Sequence, residues 1–323
     1  MAKVFVTYQI PESGIALLEE AGYEVTVREE EELISHEDLI AALKEYDAVL
    51  PLLTEQLDAE TINQAGGQLK VIANYAVGYD NIDVKTAAGK GIVVTNTPGV
   101  LTEAVGEHTI TLLASIARRI VEADAFTRAG KYTGWRPMLL LGSALNGKTL
   151  GVVGSGRIGS EVAKRAQGGF AMNIAYNDIK PNPDFEAATG ATFYEKLDDM
   201  LPEVDAVTLH VPLLDATRHL MNAERLAAMK DTALLVNTSR GPVIDEAALV
   251  EALQAKQIAG AAIDVFEDEP TLKPGLTELD NVILTPHTAS GTIETRSAMS
   301  ELAAKNIIAV LAGETPPTPV EPK

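Results

Sequence analysis

Lys148-Thr-Leu-Gly-Val-Val-Gly154-Ser-Gly156-Arg-Ile-Gly159 is the stretch of sequence that decides the fold of this chain. It predicts a short apolar strand, a tight glycine turn and the start of an amphipathic helix. Gly154 permits the sharp exit from the strand, Gly156 leaves space for a pyrophosphate to approach the backbone, and Gly159 lets the helix pack closely on the sheet. The unpaired N–H groups and the positive dipole end of that helix would then face the phosphates.

An acidic residue lies at the distance from this turn that a dinucleotide site requires. Asp178 comes nineteen positions after Gly159, at the end of a second apolar run from Met172 to Tyr176. A carboxylate there accepts hydrogen bonds from the adenosine ribose hydroxyls and repels a 2′-phosphate. The sequence therefore predicts an NAD site, with NADP less favoured, although Lys180 could soften that preference. The alternative is a purely structural turn in an α/β sheet.

The composition of the chain excludes several classes of protein. Its 323 residues are too many for one average domain, and its formal charge of −20 argues against nucleic acid or acidic membranes as partners. There is no cysteine, which excludes disulfides and thiol chemistry. The start of the chain predicts a first strand rather than a signal peptide, and no apolar run approaches the roughly 18 residues of a membrane span. We therefore expect a cytoplasmic protein of two domains, and we expect no metal site.

The pattern of strands and helices predicts two α/β domains. Strand and helix alternate through the first hundred residues, which contain no glycine fingerprint. From Lys148 onwards we predict six strands, the number in a doubly wound dinucleotide-binding domain. These six are residues 149–153, 173–176, 206–209, 233–237, 260–264 and 282–284. A final helix over residues 292–311 is expected to return to the first domain.

A long apolar helix is predicted between the two domains, from Leu101 to about Arg128. It is longer than one domain face needs, so it could form a spine between domains or a subunit contact. The loop over residues 130–147 holds the single tryptophan, Trp135, and an exposed tryptophan loop favours packing or an interface over catalysis.

Ionisable side chains follow three of the predicted strands of the second domain. The segments are Asn237-Thr-Ser-Arg240-Gly-Pro, Asp264-Val-Phe-Glu-Asp-Glu269-Pro270 and Thr285-Pro-His287. All three should emerge at the carboxyl edge of the sheet, where a doubly wound fold binds its ligand. Taken singly, each is more often a surface ion pair, a turn or a loop, but together they form a candidate catalytic site.

These segments, with the glycine turn and Asn74-Tyr-Ala-Val-Gly78-Tyr-Asp-Asn-Ile-Asp83, resemble the D-isomer-specific 2-hydroxyacid dehydrogenases. The resemblance covers about residues 74–289 and keeps the family's order and spacing. Within the family, Trp135-Arg-Pro and Leu145-Asn-Gly-Lys148-Thr-Leu-Gly resemble the glyoxylate and hydroxypyruvate reductases.

The resemblance implies two doubly wound parallel-sheet domains. One is a flavodoxin-like substrate-binding domain, residues 1–99 plus 288–323. The other is a Rossmann NAD-binding domain, residues 100–287, whose helix and loop at about residues 101–147 would pair two subunits into a homodimer.

The resemblance also implies a role for each residue of a catalytic set. Arg240 would hold the substrate carboxylate and polarise the keto oxygen, a task that suits the charged fork of a guanidinium. His287 would be the general acid in reduction and the base in oxidation. Glu269 would hydrogen-bond His287, orient the ring and favour its protonated form. The backbone N–H groups of Val77 and Gly78 would bind the carboxylate from the first domain, across a cleft that excludes water.

Further contacts with substrate and cofactor follow from the same resemblance. Leu52 and Leu53, with Trp135 in the same subunit or from a partner, would face the substrate's R-group. The expected cofactor contacts are Thr102, Gly154, Gly156, Arg157, Ile158, Gly159, Asp178, His210, Val211, Pro212, Thr238, Ser239, Arg240, Asp264, His287 and Ala289. The histidines at 36, 108 and 219 are expected to be structural, whereas His210 could touch the nicotinamide side.

The favoured reaction is the NADH-dependent reduction of a small 2-keto acid, such as glyoxylate or hydroxypyruvate. Oxidation of D-lactate or another D-2-hydroxyacid is the enzymatic alternative. A phosphoglycerate dehydrogenase is less favoured, because many of those carry a C-terminal regulatory domain for which no residues remain here. Two alternatives come from other classes of protein. The same fold resembles NAD-sensing transcriptional corepressors. A hydrolase that uses NAD internally, of the adenosylhomocysteine type, is less favoured, because those chains are longer and have cysteine and lysine patterns that this chain lacks.

Overall fold

The computed structural model describes residues 1–322, and Lys323 lies outside the described residues. The chain forms two compact units, Met1–Leu101 with Gly291–Lys323 and Thr102–Ser290. The strands are β1 (Lys3–Val6), β2 (Glu24–Val27), β3 (Ala48–Leu50), β4 (Val71–Ala73), β5 (Val93–Thr95), β6 (Thr149–Val153), β7 (Asn173–Asn177), β8 (Thr192–Phe193), β9 (Ala206–Leu209), β10 (Leu234–Asn237), β11 (Gly260–Ile263) and β12 (Val282–Leu284). The helices are α1 (Glu12–Glu20), α2 (His36–Glu45), α3 (Ala59–Asn63), α4 (Val84–Gly89), α5 (Thr102–Ala117), α6 (Ile120–Arg128), α7 (Arg157–Phe170), α8 (Pro183–Thr189), α9 (Leu197–Met200), α10 (Ala223–Ala228), α11 (Glu246–Gln254) and α12 (Ile293–Leu311).

The sheet of the first unit has the strand order β2-β1-β3-β4-β5, and all of its strand pairs are parallel. This is the order of flavodoxin-like folds, so the expected fold class is confirmed for this unit. The central strands β3 and β4 are buried along their whole length, as expected for a parallel sheet covered by helices on both faces. The last helix, α12, packs against α1, and the Ser300 hydroxyl donates to the carbonyl of Pro11 at 2.7 Å.

The sheet of the second unit has the strand order β8-β7-β6-β9-β10-β11-β12, again with parallel pairing throughout. Counted from β6, this is the Rossmann order with one additional strand at the β12 edge, so the fold class is confirmed here as well. The expectation of six strands was wrong by one, because β8 was missed. It has two residues, Thr192 and Phe193, which are too few to show an alternating pattern.

The expected continuous helix from Leu101 to Arg128 was also wrong, because the structure breaks it into α5 and α6. The break lies at Arg119, whose φ of 53° belongs to the left-handed region. A later loop explains it. The N–H group of Ser143 donates to the carbonyl of Ala117 at 2.7 Å, and Arg119 Nη1 donates to the carbonyl of Leu141 at 3.3 Å. These contacts occupy the end of α5, which a local pattern of apolar spacing does not reveal.

The helix α6 contributes no buried residue to the second unit, and its Ile120 and Val121 are half exposed. The core of this unit lies instead on the two faces of the sheet, where buried aliphatic side chains of β6, β9 and β10 meet α5, α7 and α11. Within residues 1–322, no helix combines the length and the apolar character needed to cross a bilayer.

Candidate active site

The glycine turn between β6 and α7 has the geometry of an anion cradle. A Cβ on Gly159 would lie 2.0 Å from the carbonyl oxygen of Gly154, so α7 reaches the turn at a distance that only glycine allows. Gly156 caps α7 without a side-chain hydrogen bond, and a Cβ there would meet no atom within 4 Å. Open space therefore faces the first N–H groups of the helix, which fits the pyrophosphate of a dinucleotide.

Asp178 follows β7 and is bound to the same turn. Its Oδ2 accepts hydrogen bonds from the N–H group and the hydroxyl of Ser155, at 2.8 and 2.7 Å, and its Oδ1 accepts from the N–H group of Ile179 at 2.7 Å. Burial alone would raise the pKa of Asp178, but these hydrogen bonds and the charge of Lys180 hold it below its usual value. A full negative charge thus lies beside the phosphate cradle, and Oδ1, which accepts one hydrogen bond, keeps a further lone pair for a ligand hydroxyl.

His210 follows β9 and lies behind the turn. A Cβ on Gly154 would meet the carbonyl oxygen of His210 at 2.6 Å. Burial lowers the pKa of His210 to about 3, so its ring is neutral at pH 7. Its Nε2 atom is buried and has no hydrogen-bond partner among residues 1–322. An orphaned buried nitrogen is costly unless a ligand or a water supplies the missing hydrogen bond.

The loops after β10, β11 and β12 bring an acid–base pair together at the carboxyl edge of the sheet. Nδ1 of His287 lies 2.9 Å from Oε2 of Glu269, and Oε1 of Glu269 accepts the N–H group of Phe266 at 2.9 Å. Burial would raise the pKa of Glu269, but the His287 hydrogen bond and charge, and the positive charge of Arg240, hold it below its usual value. Glu269 is therefore ionised at neutral pH and can balance a protonated imidazole.

Arg240 comes close to this pair because Gly241 has no side chain. A Cβ on Gly241 would lie 1.8 Å from the carbonyl oxygen of Phe266, so the loop after β10 is pressed directly against the loop after β11. Arg240 itself is half-buried, and its Nη1 donates to the carbonyl of Ser239 at 2.8 Å.

Asp264, at the end of β11, holds the backbone of the segment that carries His287. Its carboxylate accepts the hydroxyl of Thr285 at 2.6 Å and the N–H groups of Thr288 and Ala289 at 2.9 and 2.8 Å. The N–H group of His287 donates to the carbonyl of Asp264 at 2.8 Å, and His287 has a φ of 53°. A non-glycine residue in this left-handed conformation costs about 1–3 kcal/mol and persists only where its surroundings impose it.

Two residues of α5 belong to this region although sequence reasoning did not place them there. Nε2 of His108 lies 3.4 Å from Oδ1 of Asp264, so the histidine that the sequence assigned to structure contacts an expected cofactor residue. The hydroxyl of Thr109 donates to the carbonyl of Val105 at 2.7 Å and lies 2.8 Å from the hydroxyl of Thr238. No local pattern marks either residue, because both contacts join segments far apart in the sequence.

Several expected contacts lie outside this cluster. The first unit contains Leu52 and Leu53 on the loop after β3 and Val77 and Gly78 after β4. The N–H groups of Val77 and Gly78 have no hydrogen-bond acceptor among the described residues, whereas their carbonyls accept the side-chain amides of Asn96 and Asn74, each at 2.8 Å. Two free N–H groups on a fixed loop suit a carboxylate ligand.

The remaining expected contacts lie in the second unit. Trp135 is 81% exposed on the loop between α6 and β6, Thr102 begins α5, and Val211 and Pro212 follow His210. The described residues contain no group of three or more His, Cys, Asp or Glu side chains that could hold a metal ion.

Comparison with known proteins gives a consistent result. Residues 110–289 match the model of the family described as D-isomer specific 2-hydroxyacid dehydrogenase, NAD binding domain. The glyoxylate reductase of Korarchaeum cryptofilum is 49% identical over 318 residues, covering 98% of this chain and 94% of that protein. The glyoxylate reductase of Pyrococcus furiosus is also 49% identical, over 320 residues, with the same coverage.

Solved structures show the same similarity. A crystal structure of a protein from Thermus thermophilus has a TM-score of 0.92 and 43% identity, covering 99% of this chain and 100% of that one. The NADPH-dependent glyoxylate/hydroxypyruvate reductase of Sinorhizobium meliloti, in complex with NADP and malonate, has a TM-score of 0.86 and 35% identity, covering 99% and 97% of the two chains.

Proposed function

Because this chain belongs to the D-isomer-specific 2-hydroxyacid dehydrogenase family, we propose that it reduces glyoxylate or hydroxypyruvate to the D-2-hydroxy acid, with NADH as the hydride donor. The observation that carries the proposal is the 2.9 Å contact between His287 and Glu269, beside Arg240 and at the carboxyl edge of a Rossmann sheet. The similarity to glyoxylate reductases supports the choice of a small 2-keto acid. The cytoplasmic location expected from the sequence stays a prediction.

His287 is the proposed proton donor. Its Nδ1 faces Glu269, so Nε2 is the nitrogen left to face the substrate. NADH, when bound at the glycine turn, supplies the hydride that adds to the keto carbon. As the keto oxygen gains negative charge, Nε2 of His287 gives it a proton, and the ionised Glu269 stabilises the protonated ring before the transfer. In the direction of oxidation, the same nitrogen takes the proton back.

Arg240 is the proposed clamp for the substrate. A guanidinium stays charged at every working pH and can bind a carboxylate through two parallel N–H donors. Its charge also polarises the keto carbonyl, which favours hydride addition. In the first unit, the free N–H groups of Val77 and Gly78 are proposed to bind the substrate carboxylate, and Leu52 and Leu53 its R-group.

NAD is the proposed cofactor in preference to NADP, and Asp178 is the reason. Its ionised carboxylate would accept the ribose hydroxyls and repel a 2′-phosphate. The neutral His210, with its unpartnered Nε2, is proposed to meet the cofactor on the opposite side of the turn. The Sinorhizobium reductase named above is NADPH-dependent, so kinetics with both cofactors are the test of this preference.

A homodimer is the proposed assembly. The apolar side chains Ile120, Val121, Tyr132, Met138 and Leu141, together with Trp135, are all more than half exposed on α6 and the loop that follows. Such a concentration of exposed apolar surface marks an interaction site. Sedimentation of the purified protein gives the mass that checks the proposal.

The test of the function is a panel of 2-keto acids with NADH and NADPH as donors, followed through cofactor absorbance. We expect the highest kcat/KM with glyoxylate or hydroxypyruvate and NADH. His287→Ala should lower turnover about 10²- to 10⁴-fold while NADH binding persists, because proton transfer is lost and the cofactor cradle is kept. Near-normal turnover in this variant would remove His287 from the mechanism. Tight NADH binding without oxidation by any acid would instead favour an NAD-sensing scaffold.

A further inference from the structure

Glu246 is a buried carboxylate that the proposed reaction does not use. It is the first residue of α11 and is 2% exposed. Helix capping does not explain it, because Asp245 already caps α11 by accepting the N–H group of Ala248 at 3.0 Å. A carboxylate is costly to bury unless its oxygens are satisfied by strong hydrogen bonds.

The two oxygens of Glu246 bind the two ends of one chain segment. Oε2 accepts the N–H group of Glu267 at 2.8 Å, and Oε1 accepts the N–H group of Lys273 at 3.0 Å. Between these ends lies Glu269, the proposed partner of His287. Hydrogen bonds to an ionised acceptor are about twice as strong as neutral ones, so a single side chain fixes both ends of segment 267–273.

Charged neighbours reinforce the same closure from the outside. Oε1 of Glu267 lies 2.6 Å from Nε2 of His219, and its Oε2 accepts the N–H group of Glu246 at 3.4 Å. Nζ of Lys273 lies 2.6 Å from Oδ2 of Asp268 and 3.6 Å from Oε2 of Glu267. These groups are part-exposed, so the buried Glu246 is the member of the set that water screens least.

Glu269 depends on this closure for its position. Its side chain is 30% exposed, so packing holds it weakly, and within residues 1–322 the main chain binds its carboxylate only through the N–H group of Phe266. We propose that Glu246 is a positioning residue for the acid–base pair, fixing both ends of segment 267–273 so that Glu269 stays within hydrogen-bond reach of His287. The inference rests on the proposed function, because it assigns Glu246 a part in the same proton transfer.

The test uses Glu246→Gln, with Glu251→Gln as the matched control on the exposed side of the same helix. A glutamine turns one acceptor oxygen into an NH₂ group that faces a backbone N–H donor, so one end of the segment is released. We expect kcat to fall about 10- to 100-fold, as for a displacement of catalytic groups by about 1 Å. The upper limb of the pH profile of kcat should move to lower pH. The reason is that Glu269, once displaced, stabilises the protonated ring of His287 less. The affinity for NADH should be unchanged, and Glu251→Gln should behave as wild type.

A double variant separates positioning from simple loss of structure. Glu269→Gln alone should move the limb in the same direction as Glu246→Gln, and adding Glu246→Gln to it should cause little further change in kcat or in the limb. An equally large additional loss in the Glu269→Gln background would overturn the inference, and so would a Glu246→Gln profile that matches Glu251→Gln. A limb that moves as far in His219→Gln would also overturn it, because His219 contacts Glu267 and the shift would then not depend on Glu246.

Failure of the proposed function and failure of this inference give different results. If the wild-type protein oxidises NADH with none of the 2-keto acids, the proposed function is wrong and the inference falls with it. If His287→Ala and Glu269→Gln leave turnover intact, the proposed acid–base roles are wrong, and the inference falls with them. If those variants lose turnover but Glu246→Gln does not, only the inference is wrong. If Glu246→Gln fails to fold, Glu246→Asp replaces it in the comparison with Glu269→Gln. Its shorter side chain keeps the charge and cannot reach both ends, so a smaller shift of the same limb is expected, and an unchanged limb would overturn the inference.

Discussion

Replacing Gly159 with alanine should disturb both the stability of the second unit and its proposed cofactor cradle. The new Cβ would lie 2.0 Å from the carbonyl oxygen of Gly154 and 3.1 Å from Cγ1 of Val152, whereas real contacts of this kind do not fall below 3.0 Å. Since the oxygen belongs to the backbone, no side-chain rotation relieves the overlap. The start of α7 must therefore move about 1 Å away from the turn.

The size of the effect follows from that displacement. Overpacking of a filled site costs about 1–3 kcal/mol, of which the better helix propensity of alanine offsets about 0.5–1 kcal/mol. The N–H groups at the start of α7 move with the helix, and a misplacement of about 1 Å can cost about 100-fold in rate. We therefore expect Gly159→Ala to lose about 1–2 kcal/mol in the free energy of unfolding and about 100-fold in kcat/KM for NADH.

Two other glycines of the same helix region serve as controls. A Cβ on Gly156 meets no atom within 4 Å, and its φ is −70°, so Gly156→Ala should keep its stability and lose NADH affinity because the methyl group fills the space for the pyrophosphate. Gly168, exposed within α7, is also open, so Gly168→Ala should gain about 0.5–1 kcal/mol. Urea unfolding followed by circular dichroism measures the free energy of unfolding, initial-rate kinetics measure kcat/KM for NADH, and titration measures NADH affinity. A Gly159→Ala protein as stable as wild type with unchanged NADH affinity would refute the reasoning, as would an equal loss of stability in Gly156→Ala.

Two further predictions concern carboxylates whose pKa values are lowered by hydrogen bonds. Asp178→Ser should weaken NADH binding about 10- to 100-fold, since a hydrogen bond to a charged group contributes about 1.5–3 kcal/mol. It should also reduce the preference for NADH over NADPH. Kinetics with both cofactors measure these effects, with Asp184→Asn as the control, and unchanged NADH kinetics would rule out Asp178 as a cofactor-binding residue. The pKa of Asp264 lies below its usual value because hydrogen bonds from His108, Thr285 and two N–H groups outweigh burial, which acts in the opposite direction. Its ionised form therefore stabilises the fold above the unfolded-state pKa of about 3.9, and this contribution is lost as pH falls through the lower folded pKa. The unfolding free energy of wild type should exceed that of Asp264→Asn at pH 7, and the difference should narrow below about pH 4. A difference that stays constant with pH would contradict the prediction.

The fold class was predictable because its signals are local. A strand, a glycine turn and a helix must follow one another to make the phosphate cradle. Backbone geometry requires Gly154 and Gly159, Gly156 leaves space for the pyrophosphate, and all three lie within six residues. Alternating strands and helices then imply parallel sheets, which both units show. The two errors were of a different kind: β8 was too short to leave a pattern, and the end of α5 is set by a loop that returns more than twenty residues later.

The candidate site also has a part that the sequence predicts and a part that it does not. By itself, the sequence determined the family, the cradle and the three strand ends that carry Arg240, Glu269 and His287, because parallel strands deliver their carboxyl ends to one edge. Tertiary structure alone decided what holds these groups in place. His108 on α5 contacts Asp264, and Glu246 at the start of α11 accepts hydrogen bonds from both ends of segment 267–273. Contacts of this kind depend on how helices pack and which carboxylates are buried, and no periodicity or spacing in the chain encodes them.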